Sequence, residues 1–271
     1  MILALFFFRA AIGHHTCGVA LRQSPHPLDK SFRERQHRRP PPTSPATPMN
    51  TPIRPQVYLG SRAPNFTAAS SQGPIDFYDY VGDSWCLFFS HPGDFTPICT
   101  TEIGAFAALH DEFKLRNCKL LGLSTNSRET HIRWIKDIQQ VTGFNVEFPI
   151  VCDQDRKIST MYGMIDLRNF DDKGRPVPIR SVYLIDNRKE VRLLHAYPLS
   201  TGRNTAEILR CLDSLQVVDK HDRNVLTPVN WVPGDDVVVS PELSPASARS
   251  VFPHHRSVRS YLRLTPLDPD I

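Results

Sequence analysis

The chain has 271 residues, 40% hydrophobic and 22% charged, enough for one large domain with an appendage or two modest ones, which excludes a fibre or a wholly disordered chain. The formal net charge of +4 is unevenly spread: residues 1–50 carry seven Lys/Arg against two acids, and the remainder carries 25 against 26. A nearly neutral remainder with no basic stripe interleaved with aromatics makes nucleic acid a poor fit as partner.

The chain opens MILALFFFRA, an apolar run of about eight residues, where a bilayer crossing takes about 20. No transmembrane segment is expected. The residues that follow are basic and acid-poor and end in RRPPPTSPATP, which suits a transit peptide or a disordered leader, with Met49 as a second plausible start. Residues 1–51 are therefore set apart from the fold.

From Pro52 the texture changes. SWCLFFS (84–90) and KLLGLST (119–125) read as strands buried on both faces. Between them, Thr100–Arg116 spaces Ile103, Phe106, Ala107 and Phe113 as one helix. Ser127–Val141 reads as a second helix, started by Ser127 with Glu129 in its first turn. FPIVCD (strand), RKISTMYGM (short helix), PIRSVYLID and EVRLLHAYPL (strands) and an amphipathic helix over Asn204–Val218 follow. This order predicts an α/β fold with a mixed sheet and helices on both faces, over residues 52–220. Residues 221–271 are Pro-rich and irregular and read as a C-terminal arm rather than a second core.

The six cysteines, Cys17, Cys86, Cys99, Cys118, Cys152 and Cys211, show no CxxC pairing, which favours a reducing compartment and argues against a structural zinc site. His14, His15, His254 and His255 read as solvated loop residues rather than metal ligands. Cys86, Cys118 and Cys152 lie in or at apolar strands, and Cys211 lies on an amphipathic helix. All four read as core packing.

Cys99 is different. It sits in SHPGDFTPICTTE, where Pro97 suits the first turn of a helix, so the sulfur faces free backbone N–H groups and the positive end of the dipole. Thr96 offers a hydroxyl either to steady the thiolate or to hold a substrate oxygen. Glu102, one turn on, is costly beside a thiolate unless an arginine ties it down. Arg180, inside an otherwise apolar strand, and Arg203, in STGRN, are the candidate partners.

HPGDFTPICTTE, Arg180 downstream, YPLSTGRN and LTPVNWVPGDDVVVSP together resemble the peroxiredoxins, in the one-cysteine, peroxiredoxin-6-like branch, from about Tyr58 to Pro241. The resemblance implies a thioredoxin-like fold, a homodimer, no bound cofactor, and reduction of hydrogen peroxide and organic hydroperoxides, phospholipid hydroperoxides included. It gives Cys99 the role of peroxidatic nucleophile, with Thr96, Arg180 and Pro92 catalytic and His91, Glu102 and Arg203 in support. Pro92 and Pro97 would shield the sulfur, and His91 would tune its pH response. Where two-cysteine relatives carry Val-Cys-Pro, this chain has Leu226-Thr227-Pro228, so an external thiol such as glutathione is expected to resolve the sulfenic acid. The expected location is cytoplasmic, or mitochondrial if residues 1–48 act as a transit peptide.

Two alternatives compete. One is a thioredoxin-fold chaperone or binding protein with an inert Cys99. The other is the phospholipase A2 activity of the branch, for which Ser84 is present but Tyr78 and Arg188 stand at the histidine and aspartate positions. A serine without its base is not activated, so that reading is weak.

Overall fold

The computed structural model describes residues 57–267; the expectations for residues 1–51 lie outside them. Two hydrophobic layers of different parentage organise these residues. In the strand Trp85–Ser90 every residue is buried, and alternate side chains enter opposite clusters. Leu87 and Phe89 face one, Cys86 and Phe88 the other. That is the behaviour of a central strand with helices on both sides.

In chain order the first elements are β1 Thr67–Ser70, β2 Gly73–Asp76, α1 Phe77–Val81, β3 Trp85–Ser90, α2 Pro97–Ala108, α3 His110–Leu115, β4 Cys118–Ser124 and α4 Arg128–Thr142. Next come β5 Ile150–Cys152, α5 Lys157–Met161, β6 Ile165–Phe170, β7 Pro176–Pro178, β8 Arg180–Ile185, β9 Val191–Tyr197 and α6 Thr205–Lys220. The chain ends in β10 Val225–Leu226, β11 Val237–Val239, α7 Pro245–Val251, β12 Arg256–Arg259 and β13 Leu262–Thr265.

The main sheet has the order β2-β1-β5-β4-β3-β8-β9. β3, β4 and β5 run parallel, while β8 and β9 add antiparallel on one side and β1 and β2 on the other. Helices α2, α4 and α6 contribute Phe106, Trp134 and Ile208 to the cluster on one face. Phe77 of α1 and Ile158 of α5 join the other.

The helix expected over Thr100–Arg116 starts earlier and is two helices, broken at Leu109, whose φ of −99° and ψ of 8° interrupt the ladder. Helix α4 begins where its cap predicts: Ser127 Oγ accepts from the Thr130 N–H at 3.3 Å, and Gly143 closes it in the left-handed region at φ 81°. The arm is more ordered than its prolines suggest. It carries the sheet β10-β11-β13-β12 and a small core of Val225, Trp231, Val237, Val239, Ala248 and Phe252 against Val217 of α6. Strands of two to four residues are too short for alternation to register in the sequence.

Candidate active site

Strand β3 delivers the chain into the loop His91–Thr96, and α2 takes it up at Pro97. Just before the helix, Phe95 holds a φ of 54°, an uncommon conformation for an aromatic residue that turns the loop onto the helix start. Thr96 occupies the N-cap in extended geometry, yet its side chain caps nothing; its hydroxyl donates to the Gly93 carbonyl at 2.9 Å. The N–H groups of Ile98 and Cys99 at this helix start thus remain open for an anion.

Cys99 is the third residue of α2 and is buried. Arg180, the first residue of β8, reaches it: Nη1 donates to Cys99 Sγ at 3.2 Å and to Glu102 Oε2 at 2.7 Å. Its other edge is fixed, with Nε and Nη2 donating to the Leu199 carbonyl at 2.9 and 2.8 Å. Arg203 completes the group. Its backbone N–H and Nε donate to Glu102 Oε1 at 2.9 and 3.0 Å, and Nη2 to Oε2 at 2.9 Å. Nη1 donates to the Ser90 and Ser181 carbonyls at 2.9 and 3.1 Å, and the guanidinium lies 5.1 and 5.3 Å from the rings of Phe89 and Phe106.

Burial lowers the pKa of Arg203, and the Glu102 carboxylate opposes the shift. With Cys99 as thiolate, the cluster holds two cations and two anions, which answers the cost of so many ions in a dry place. Glu102 is tied down by both candidate arginines, and in turn it orients them.

His91 is buried and does not meet the sulfur through any hydrogen bond among the described residues. Its Nε2 pairs with Asp94 Oδ1 at 2.9 Å, and its ring lies 5.0 Å from that of Trp134. Burial lowers its pKa, with Asp94 acting in the opposite sense. Asp94 also accepts from His131 Nδ1 on α4 at 2.7 Å. Trp134 Nε1 donates to Thr100 Oγ1 at 3.1 Å, so α4 props the helix that carries Cys99. Asp94, His131, Thr100 and Trp134 were invisible in the sequence, where each reads as an ordinary loop or helix residue.

Two expectations need correction. Thr96 gives its hydroxyl proton to Gly93, so it does not donate to the sulfur. Pro97 is exposed, and of the two prolines Pro92 is the half-buried one, so shielding by Pro97 is slight. Elsewhere, Ser84 Oγ donates to Asn117 Oδ1 at 2.9 Å, and the Tyr78 hydroxyl donates to the Ala63 carbonyl. No histidine partners Ser84 among the described residues, as the sequence led one to expect. Cys211 donates to Glu207 Oε1 at 3.2 Å, and burial first, then that carboxylate, pushes its thiol up to about 11. Burial raises Cys86 and takes Cys118 to about 12. These thiols stay protonated. Cys152 alone of the expected core cysteines is only partly buried.

The AhpC/TSA family model matches residues 59–194, and a model for the C-terminal domain of 1-Cys peroxiredoxin matches 214–250, from the end of α6 into the arm. A mitochondrial peroxiredoxin of Saccharomyces cerevisiae is 46% identical over 78% of this chain and 82% of its own. Peroxiredoxin-6 of Rattus norvegicus is 44% identical, covering 78% and 97% respectively. Among solved structures, a peroxiredoxin 6 variant of Arenicola marina superposes with a TM-score of 0.75 at 38% identity, covering 78% of this chain and 99% of that one. A yeast mitochondrial 1-Cys peroxiredoxin, solved to explain thiol resolution via glutathione/thioredoxin systems, gives 0.73 at 45%, covering 78% and 100%. The thioredoxin-like architecture, the buried cysteine at the start of α2 and these likenesses agree: the chain belongs to the peroxiredoxins, in their one-cysteine branch, and is a thiol peroxidase that depends on an external thiol.

Proposed function

We propose that Cys99 is the peroxidatic nucleophile and that Arg180, held by Glu102 and Arg203, is the group that makes it one. The observation that carries this reading is the forked contact of Arg180 Nη1, 3.2 Å from Cys99 Sγ and 2.7 Å from Glu102 Oε2. The sulfur attacks the terminal oxygen of a hydroperoxide, the O–O bond breaks, and the departing oxygen leaves as water or an alcohol after taking a proton. Negative charge moves from sulfur to the leaving oxygen during the step. Arg180 and the open N–H groups of the helix start follow that charge without reorganising. Pro92 shapes the loop over the site, and the Thr96 hydroxyl oxygen keeps lone pairs free to accept from the peroxide O–H.

The sulfenic acid condenses with an external thiol, releasing water, and a second thiol then frees Cys99 and departs as a disulfide. Glutathione is the proposed thiol, by analogy with the yeast relative's glutathione/thioredoxin resolution. The proposal includes a homodimer, which light scattering tests. The basic, acid-poor residues 1–48 and the mitochondrial relative favour import into mitochondria over a cytoplasmic location. N-terminal sequencing of the native protein tests that.

Mixing the reduced protein with one equivalent of hydrogen peroxide is expected to leave a dimedone-trappable sulfenic acid on the peptide bearing Cys99. Cys99→Ser reacting as fast as the parent would overturn the assignment.

A further inference from the structure

The buried pair of Asp94 and His131 is more than a prop for the loop. His131 has no exposed surface; Nδ1 is spent on Asp94 Oδ2 at 2.7 Å, and Nε2 has no hydrogen-bond partner. A buried ring nitrogen left unpaired is uncommon and asks what faces it. In the parallel register of β4 and β5, Cys152 lies opposite Ser124, whose side chain touches Asp94 at 3.5 Å, so both side chains project from the same face of the sheet, the one covered by α4. The Cys152 thiol is weakly held, at 4.0 Å from the Ile150 carbonyl. On its outer side it lines a cavity of about 410 Å³, together with Ala69, Asp153, Gln154 and Lys157.

We propose that Cys152, His131 and Asp94 form a second reactive-thiol site, separate from Cys99, that exchanges with small-molecule disulfides of the glutathione type. The order of groups is sulfur, imidazole, carboxylate. In that order the carboxylate fixes the ring tautomer and charge, and the ring's far nitrogen receives the thiol proton. The sulfur then attacks one sulfur of the disulfide, that S–S bond breaks, and the second half leaves as a thiolate. One protein–glutathione disulfide forms for each disulfide consumed, with no other oxidant.

The charge state of the ring fits. Burial acts to lower the pKa of His131, but the bond to Asp94 and the neighbouring Cys152 side chain outweigh it and raise the value to about 9. A cation thus shares the sheet face that carries the sulfur at neutral pH. The other charged groups at the cavity are already engaged: Asp153 accepts from the Ile158 and Ser159 N–H groups, and Asp155 pairs with Lys157 at 2.6 Å. Neither leaves a free carboxylate to oppose the thiolate.

The test uses the full chain with Cys99→Ser, so that the outcome is independent of the peroxidatic assignment. The folded protein is incubated with glutathione disulfide at neutral pH, quenched, digested and mapped by mass spectrometry, with the same protein in denaturant as reference. Cys152 is expected to acquire a glutathionyl group at least about tenfold faster when folded than when unfolded. Cys86, Cys118 and Cys211 are expected to be slower when folded. His131→Gln, checked for near-ultraviolet circular dichroism, should bring Cys152 down to the unfolded rate. In the chain that retains Cys99, Cys152→Ser should abolish this adduct and leave the peroxide reaction unchanged. A folded Cys152 no faster than the unfolded one overturns the proposal whatever the variant does, and so does a Cys99 to Cys152 disulfide as the oxidation product.

Discussion

At the scale of single residues, the proposed site is held by three charged side chains that fix one another. Glu102 receives four donors from two arginines, and Arg180 Nη1 is shared between Glu102 and the sulfur. Replacing Arg180 by Met keeps the bulk and removes the donor, so the peroxide reaction is expected to slow by about 100-fold or more in stopped-flow measurements. A rate within about threefold of the parent would remove Arg180 from the chemistry. The histidines make a separate prediction. His131 is raised to about 9 from an unfolded value of about 6.5, so its stabilisation is complete below pH 6.5 and is lost as pH rises toward 9. Most of the loss, about 2–3 kcal/mol, falls between pH 6.5 and 8.5, before buried thiols would ionise. His91, lowered by burial, works the other way and removes stability as pH falls below about 6.5. Urea unfolding across this range should therefore show a maximum near pH 6.5, and Asp94→Asn should flatten the alkaline side.

At the scale of elements, the sequence marked what lies on long periodic segments. Strand β3 and the cap of α4 were readable from SWCLFFS and Ser127. The break at Leu109 was not, because its apolar spacing runs on through the break; neither was the arm's sheet, whose strands are too short to show a period. The Arg180 contact was legible as an anomaly, a charge inside a strand that demanded an anion. The Asp94–His131 pair had no such signal, since 37 residues separate two polar residues in polar surroundings. The seam of α2 and α4 rests on Gly104: a Cβ there would stand 2.5 Å from Thr142 Cγ2, whose hydroxyl is tied to the Ile138 carbonyl at 2.8 Å. Gly104→Ala is expected to cost about 1–2 kcal/mol despite better helix propensity. Adding Thr142→Ser should recover most of it; a stabilised single variant would contradict this reading of the seam.

At the scale of the whole molecule, the proposed peroxidatic centre sits at the start of α2, and the other described thiols lie in different environments. Cys211 is the nearest thing to an internal resolving thiol by sequence, yet it is neutral, buried and bonded to Glu207. The most direct test is therefore the mass of the intact protein after one equivalent of hydrogen peroxide, followed by one equivalent of glutathione. The account predicts the gain of one oxygen, carried by Cys99, and then its replacement by one glutathionyl group at the same residue. A loss of two hydrogens instead, with Cys99 joined to another cysteine of the chain, would contradict it.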